Sequence, residues 1–227
     1  MRRCCWRDGQ RLFGKAWQRT VANELIAQGD MMKKVNSKDT KRTNRLPPGQ
    51  ALVGDLPVLH YGSTQNIETK NWELKLFGAV RESVKLSFDA FSKLPQTELY
   101  CDIHCVTGWS RLDTTWEGVA TSELKGLVDI DPEATHVMLH SEDAFTTNIT
   151  IDEFFDSDVI LATKFMGQPL TAEHGAPVRL ILPKLYFYKS AKWIVAIEFM
   201  KGDRRGFWER YGYHNHGDPW SEERYGR

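Results

Sequence analysis

Three groups of residues in this chain have the types and spacing to do chemistry. The first, Cys101-Asp102-Ile103-His104-Cys105, carries two thiols and an imidazole. A zinc site would use all three, but strand alternation sends His104 to the face opposite the cysteines. No second cysteine pair follows to complete a tetrahedral set. One reading makes Cys101 and Cys105 small buried apolar side chains. The other starts from Cys105, which ends a strand just before the glycine turn Val106-Thr107-Gly108-Trp109-Ser110. A side chain there is aimed out of the sheet toward a cavity, where a thiolate serves as a nucleophile or as ligand to a soft metal. A nucleophile needs a base beside it, and His104 points away.

The second group, His214-Asn215-His216-Gly217-Asp218-Pro219-Trp220, has metallohydrolase-like H-x-H-x-D spacing. Pro219 stands where the next histidine belongs, which favours a structural turn. The third joins His174-Gly175-Ala176-Pro177-Val178-Arg179 to Tyr188-Lys189-Ser190-Ala191-Lys192-Trp193. An arginine, two lysines, a serine hydroxyl and small residues that admit close backbone approach would make an anion cradle.

Composition narrows what such groups could serve. With 30 Lys+Arg against 30 Asp+Glu the chain has no net charge, so no global field favours nucleic acid or a membrane surface. The balance is uneven: residues 1–50 hold twelve Lys/Arg and four Asp/Glu, or +8, leaving −8 for the remainder. No apolar run is long enough to span a membrane. P-loop, G-x-G-x-x-G and G-x-S-x-G patterns are absent, which removes support for NTP binding, dinucleotide folds and the common serine hydrolases. The cysteines fall as Cys4/Cys5 and Cys101/Cys105, which is no secreted disulfide framework. Arg2 and Arg3 lack an apolar stretch behind them, so the expectation is a cytoplasmic protein without an export signal.

The elements that would position these groups follow from periodicity. Residues 1–45 read as a basic, flexible extension with one helical pattern at Ala16–Ala27 and a polar lead-in from Lys33 to Asn44. Met31-Met32 leaves open whether the first thirty residues extend from an upstream start or form a partner-binding arm. From 46 to 227 a single β-rich α+β domain is expected. Trp72, Leu74 and Leu76 alternate as a strand ended by Gly78. Leu99, Cys101, Ile103 and Cys105 share one strand face. Further strands are expected at His136–His140, Val159–Lys164, Val178–Leu182 and Trp193–Phe199. Short helices fit at Ser87–Phe91, Thr121–Leu127, Ile151–Phe155 and Phe207–Tyr211.

The run from His174 through Pro183, followed by Lys189-Ser190-Ala191-Lys192-Trp193, resembles the molybdopterin-binding domain of the sulfite oxidase family. Cys105-Val106-Thr107-Gly108-Trp109-Ser110, with Trp116 and Gly118-Val119 downstream, is similar to that family's cysteine-ligand segment. The match runs from about Arg45 to Arg227 and is nearest to small bacterial sulfite oxidase-like oxidoreductases, relatives of the protein-methionine-sulfoxide reductase catalytic subunit. The resemblance implies the sulfite oxidase fold, with mixed β-rich sheets and short helices. It also implies a molybdenum–molybdopterin cofactor whose metal is held by Cys105.

By position, His174 and Arg179 would hold the pterin and its phosphate, and Ser190, Ala191 and Lys192 would grip the phosphate. Ser141 would place a hydroxyl near the cofactor, and His60 and Tyr61 fall at an early pterin-contact segment. The implied activity is two-electron or oxygen-atom transfer on a small oxo-accepting or S- or N-oxide substrate, with electrons exchanged with a separate redox protein. A non-catalytic molybdopterin carrier is the alternative. Leu59 stands near the position where sulfite-oxidising members carry an arginine, which argues against sulfite. No haem or dimerisation domain accompanies the match, so a monomer is expected.

Overall fold

The computed structural model describes residues 32–226. The helical pattern at Ala16–Ala27 and the Cys4/Cys5 pair lie outside the described residues. Twelve strands form two sheets. The first sheet has the order β1 (Lys33–Asn36), β5 (Gln96–His104), β6 (Trp109–Ala120), β9 (Ile160–Phe165), β10 (Gln168–Pro169). In addition β11 (Arg179–Ile181) pairs with β9, and β2 (Ala51–Leu52) with β6. The second sheet runs β4 (Val84–Ser87), β3 (Glu73–Gly78), β12 (Ile194–Met200), β7 (His136–Ser141), β8 (Thr146–Thr150). Among the described residues three short helices, α1 (Phe88–Ser92), α2 (Ile151–Phe154) and α3 (Phe207–Arg210), and several 3-10 turns fill the connections.

Side-chain alternation sorts the apolar residues into two cores. Leu161 of β9 and Leu180 of β11 turn toward the second sheet, where they meet Trp72, Leu74, Leu76, Ile197 and Phe199. Their neighbours Ile160, Ala162 and Ile181 turn the other way, onto Leu99, Cys101, Ile103, Cys105 and Trp116. The predicted face of Leu99, Cys101, Ile103 and Cys105 is therefore buried as one surface. The opposite face of β5 is also covered. Asp102 takes two hydrogen bonds from Arg45, at 2.8 and 2.5 Å, and His104 Nδ1 lies 2.8 Å from Ser110 Oγ. Burial pushes the His104 pKa down to about 4, so that imidazole is neutral.

Residues ahead of the boundary expected at 45/46 are paired into the first sheet. Residues 33–36 form β1, parallel to β5 with Lys33 opposite Thr97, and Ser37 and Asp39 are buried. Ser37 Oγ donates to Asp158 at 2.7 Å and Arg42 Nε to Asp39 at 2.5 Å. An edge strand needs main-chain partners rather than an apolar stripe, so a polar run can pair without any periodic sign of it. The same reason hides the edge strand β8, which buries Thr147 and Asn148; β6 lies inside its sheet and is hidden by the polar residues Arg111 and Asp113 that interrupt its alternation.

Strand β6 turns across β9 at Gly118, where the pairing register shifts after Glu117. A Cβ on Gly118 would stand 2.1 Å from the Leu161 carbonyl oxygen and 2.6 Å from Ala162 Cα, both main-chain atoms. Gly118→Ala should accordingly lower stability by about 1–3 kcal/mol, read as a reduced urea midpoint at unchanged slope; a parent-like midpoint would contradict this packing.

Candidate cofactor site

Strands β5 and β6 form a hairpin whose loop is Cys105-Val106-Thr107-Gly108. Cys105 N donates to Trp109 O at 2.8 Å and Gly108 N to Cys105 O at 3.0 Å, closing the turn, and Gly108 has φ +94°. The turn sets the Cys105 thiol at one wall of a cleft of about 240 Å³. Thr107 Oγ1 lies 3.2 Å from the sulfur. Burial raises the Cys105 pKa, while the Thr107 bonds and the charge of Arg224 act in the opposite direction.

Across the cleft, β11 delivers Arg179. Its side chain is 1% exposed and stacks 4.3 Å over Phe187 and 5.4 Å over Trp116. Nη1 donates to His174 O and Nη2 to Ser190 O, both at 2.9 Å. No carboxylate among the described residues offsets its charge, and burial alone pulls its pKa down to about 9. A buried guanidinium without an acid is costly unless an anion joins it. Lys192 lies close by, its Nζ donating to Glu173 O at 2.5 Å; burial, then the Arg179 charge, lower its pKa to about 7.

The His174–Pro177 and Ser190–Trp193 segments meet because glycine allows it. Gly175 has φ +103°, and a Cβ there would stand 2.9 Å from Lys192 Cβ. Trp193 Nε1 donates to Ala172 O at 2.8 Å, clamping the two segments together. Ser190 Oγ accepts from Leu182 N at 3.0 Å and keeps its own proton to donate. Ala191 is buried and offers only a methyl group, which leaves its main chain approachable.

Of the residues singled out from the sequence, His60, Tyr61, Cys105, Ser141, Arg179, Ser190, Ala191 and Lys192 all line this one cleft. His174 does not line it; it acts on the cleft through its carbonyl, which holds Arg179. His60 packs edge-on against Trp193 at 5.9 Å, and Tyr61 reaches Phe207 and Trp208 at the mouth. Lys189, grouped with the cradle by sequence, turns the other way. Its ammonium is fully buried on Glu209 at 2.6 Å, with Asn148 and Asn215 carbonyls completing its shell.

Other cleft residues went unnoticed in the sequence. Asp143 lines the cleft and has its pKa raised by burial. Trp208 and Tyr213 form part of the mouth, their rings 5.1 Å apart. Nothing local marks these residues, since they come from the β7–β8 turn, from α3 and from the tail.

Among the described residues no three His, Cys, Asp or Glu side chains converge as a metal-binding group. His216 instead bridges two carboxylates, Glu153 and Glu223, each at 2.7 Å.

The residues present fit a phosphorylated, sulfur-rich metal cofactor. Ser141 Oγ and Trp109 Nε1 are buried on the cleft with no protein partner, and a buried polar atom left so calls for a ligand. Arg179 and Lys192 offer charge to a phosphate, and Cys105 offers one soft donor to a metal.

Comparison with known proteins agrees. Residues 61–208 match the family model described as oxidoreductase molybdopterin binding domain. The chain belongs to this family. It is similar to the uncharacterized oxidoreductase YuiH of Bacillus subtilis (strain 168), with 43% identity over 190 residues, covering 83% of this chain and 96% of that protein. It also resembles the protein-methionine-sulfoxide reductase catalytic subunit MsrP of Campylobacter jejuni, at 28% identity over 170 residues. That match covers 67% of this chain but only 57% of the relative's length.

The fold matches the crystal structure of the sulfane dehydrogenase SoxCD from Paracoccus pantotrophus with a TM-score of 0.60, at 18% identity. The match covers 67% of this chain and 43% of that one. The chain thus has the expected β-rich α+β fold of the sulfite oxidase family and is a molybdopterin-dependent oxidoreductase. No helix among the described residues is long and apolar enough to cross a membrane.

The His216 bridge sets a pH dependence of stability. Its bonds to Glu153 and Glu223 raise the His216 pKa above the unfolded value near 6.5. The stabilisation should therefore be complete below pH 6.5 and fade as pH rises through the raised folded value. Burial of Glu153 is outweighed by its hydrogen bonds from His216, Thr150 and Lys184, which hold it down at about 2. The fade thus reports His216 and not the acid. Across that window the urea midpoint of the parent should fall relative to that of His216→Gln; parallel curves would refute the assignment.

Proposed function

We propose that this chain reduces a neutral organic S-oxide or N-oxide by two-electron oxygen-atom transfer, using a molybdenum–molybdopterin cofactor and electrons from a separate redox protein. The observation that carries this reading is the pairing, in one cleft, of the Cys105 thiol with a buried Arg179 that has no carboxylate partner. Cys105 would ligate the metal. Arg179, Lys192 and Ser190 would hold the cofactor phosphate, with His174 fixing Arg179 through its carbonyl. Ser141 and Trp109 would donate to the pterin, with Ala191, His60 and Tyr61 against its flanks. When bound, the cofactor supplies the two-electron exchange of an oxygen atom with substrate.

The substrate end of the cleft supports a neutral oxide over sulfite. Leu59, Tyr61, Trp208 and Tyr213 wall the mouth, and Asp143 adds a carboxyl, while Arg179 and Lys192 are engaged at the cradle. An anion would meet apolar rings and a like charge rather than a guanidinium. Reduction of an S-oxide consumes two protons and two electrons and yields the sulfide and water. Burial raises the proton affinity of the Asp143 carboxyl, which suits it to carry one of those protons at the cleft. Similarity to the protein-methionine-sulfoxide reductase catalytic subunit of Campylobacter jejuni supports the S-oxide class. A cytoplasmic setting belongs to the same reading and rests on the cysteine pattern of the sequence.

Protein purified from cells that make the cofactor should contain molybdenum and pterin in near-equal amounts. It should reduce methyl p-tolyl sulfoxide with a reduced viologen and leave sulfite unoxidised in a ferricyanide assay. Cys105→Ala should retain pterin but lose turnover by at least about 100-fold, beyond the usual cost of disturbing a ligand's neighbours. Arg179→Met should lose the pterin itself. Sulfite turnover without S-oxide turnover would overturn the substrate assignment, and full activity in Cys105→Ala would overturn the ligand.

A further inference from the structure

The turn that carries Cys105 is held from a part of the chain far away in sequence. Arg224 lies at the end of a tail that folds back on itself: Tyr213 bridges to Tyr225, His214 N donates to Arg224 O at 3.1 Å, and Gly226 N donates to Gly212 O at 2.9 Å. From there the half-buried guanidinium reaches two loops at once. Nη1 donates to Val106 O at 2.6 Å, the residue directly after Cys105. Nη2 lies 3.2 Å from both Pro48 O and Gly49 O.

The 48–50 loop is itself tied to the cysteine turn. Gln50 Nε2 donates to Cys105 O at 3.1 Å, and Ala51 N to Gly108 O at 2.8 Å. Gly49 has φ +65°, and a Cβ there would stand 3.0 Å from Arg224 Nη2, so the guanidinium fills the space that the glycine leaves. The plane lies over the Tyr186 ring at 5.2 Å, which fixes its orientation. The planar guanidinium, with separate donors on Nη1 and Nη2, has the shape to address carbonyls on both loops from one position.

We propose that Arg224 is a positioning residue for the cofactor's thiolate ligand, pinning the Cys105–Gly108 turn against the 48–50 loop so that the sulfur keeps one direction into the cleft. The proposal rests on the reading of Cys105 as that ligand. The tail thus acts on the metal through the backbone of Val106 rather than by touching the cofactor.

Hydrogen–deuterium exchange on the full cofactor-free chain tests the pin directly. In Arg224→Ala, peptides carrying the Cys105 and Gly108 amides should exchange at least about tenfold faster than in the parent, as expected when a charge-assisted bond leaves a local opening equilibrium. Peptides from β3 and β12 should not change. Arg224→Lys keeps the charge but loses the two-armed donor fork that reaches Val106 O from Nη1 and the 48–49 carbonyls from Nη2, and should fall between the two.

In the cofactor-loaded chain, the Mo(V) electron paramagnetic resonance g-values should shift in Arg224→Ala and move back toward the parent in Arg224→Lys. Trp72→Phe, a destabilising change in the other sheet, should leave them alone. Parent-like exchange in the cysteine turn, or a rise shared equally by β3 and β12, would overturn the proposal. So would parent g-values in Arg224→Ala. If Arg224→Ala does not fold, the lysine variant decides by the same two readouts, with parent behaviour in both counting against the pin. A parent signal that lacks a sulfur ligand would defeat the Cys105 reading while leaving the exchange result to judge the pin.

Discussion

A guanidinium buried without an acid is the constraint around which this molecule is arranged. No ion pair from the described residues reaches Arg179, and its charge is spread over main-chain carbonyls, the shortest bonds going to His174 and Ser190, and over two aromatic faces. The His174 and Ser190 segments must come together for the arginine to be satisfied at all. Gly175 makes the approach possible and Trp193 locks it. What is left is a positively charged wall suited to an anionic ligand.

The opposite wall is built by a different principle. Cys105 owes its direction to a hairpin closed by main-chain bonds, where β5 and β6 run together and Gly108 takes the left-handed conformation. Rigid strands set the thiol's origin, and loops set its aim. A metal ligand displaced by a fraction of an ångström changes both geometry and electronics, so such a turn is well placed to be buttressed from outside. The tail supplies that buttress, and the His216 bridge to Glu153 and Glu223 anchors the tail in turn. The result is a site whose two ends are fixed by independent networks of polar contacts.

The two lysines of the Lys189-Ser190-Ala191-Lys192 run show how little adjacency decides. Lys189 is fully buried and paired with Glu209, tying the loop to α3 and β8. Lys192, three residues on, faces the cleft, and burial there makes its charge conditional on an anionic partner. Chemically identical side chains thus divide into a structural strut and a cradle group.

Much of this protein was legible in its residues. Alternation in Trp72–Leu76 and Leu99–Cys105, and apolar runs at 136–140, 159–164 and 193–199, are local consequences of burying a sheet face, so they mark β3, β5, β7, β9 and β12 directly. The glycine turn after Cys105 announced where a thiol would leave the sheet, and the ordered motifs from Cys105 to Trp193 carried the family. Tertiary structure alone decided the rest. Strand β1 pairs through main-chain groups, β8 buries polar side chains, and Asp143, Trp208 and Arg224 reach the site from distant segments. Hydrogen bonds and ion pairs between residues far apart in the chain leave no period in the sequence. Only the folded chain, by fixing which backbone carbonyl faces which donor, determines that Lys192 serves the cleft, that Lys189 does not, and that the tail holds the turn.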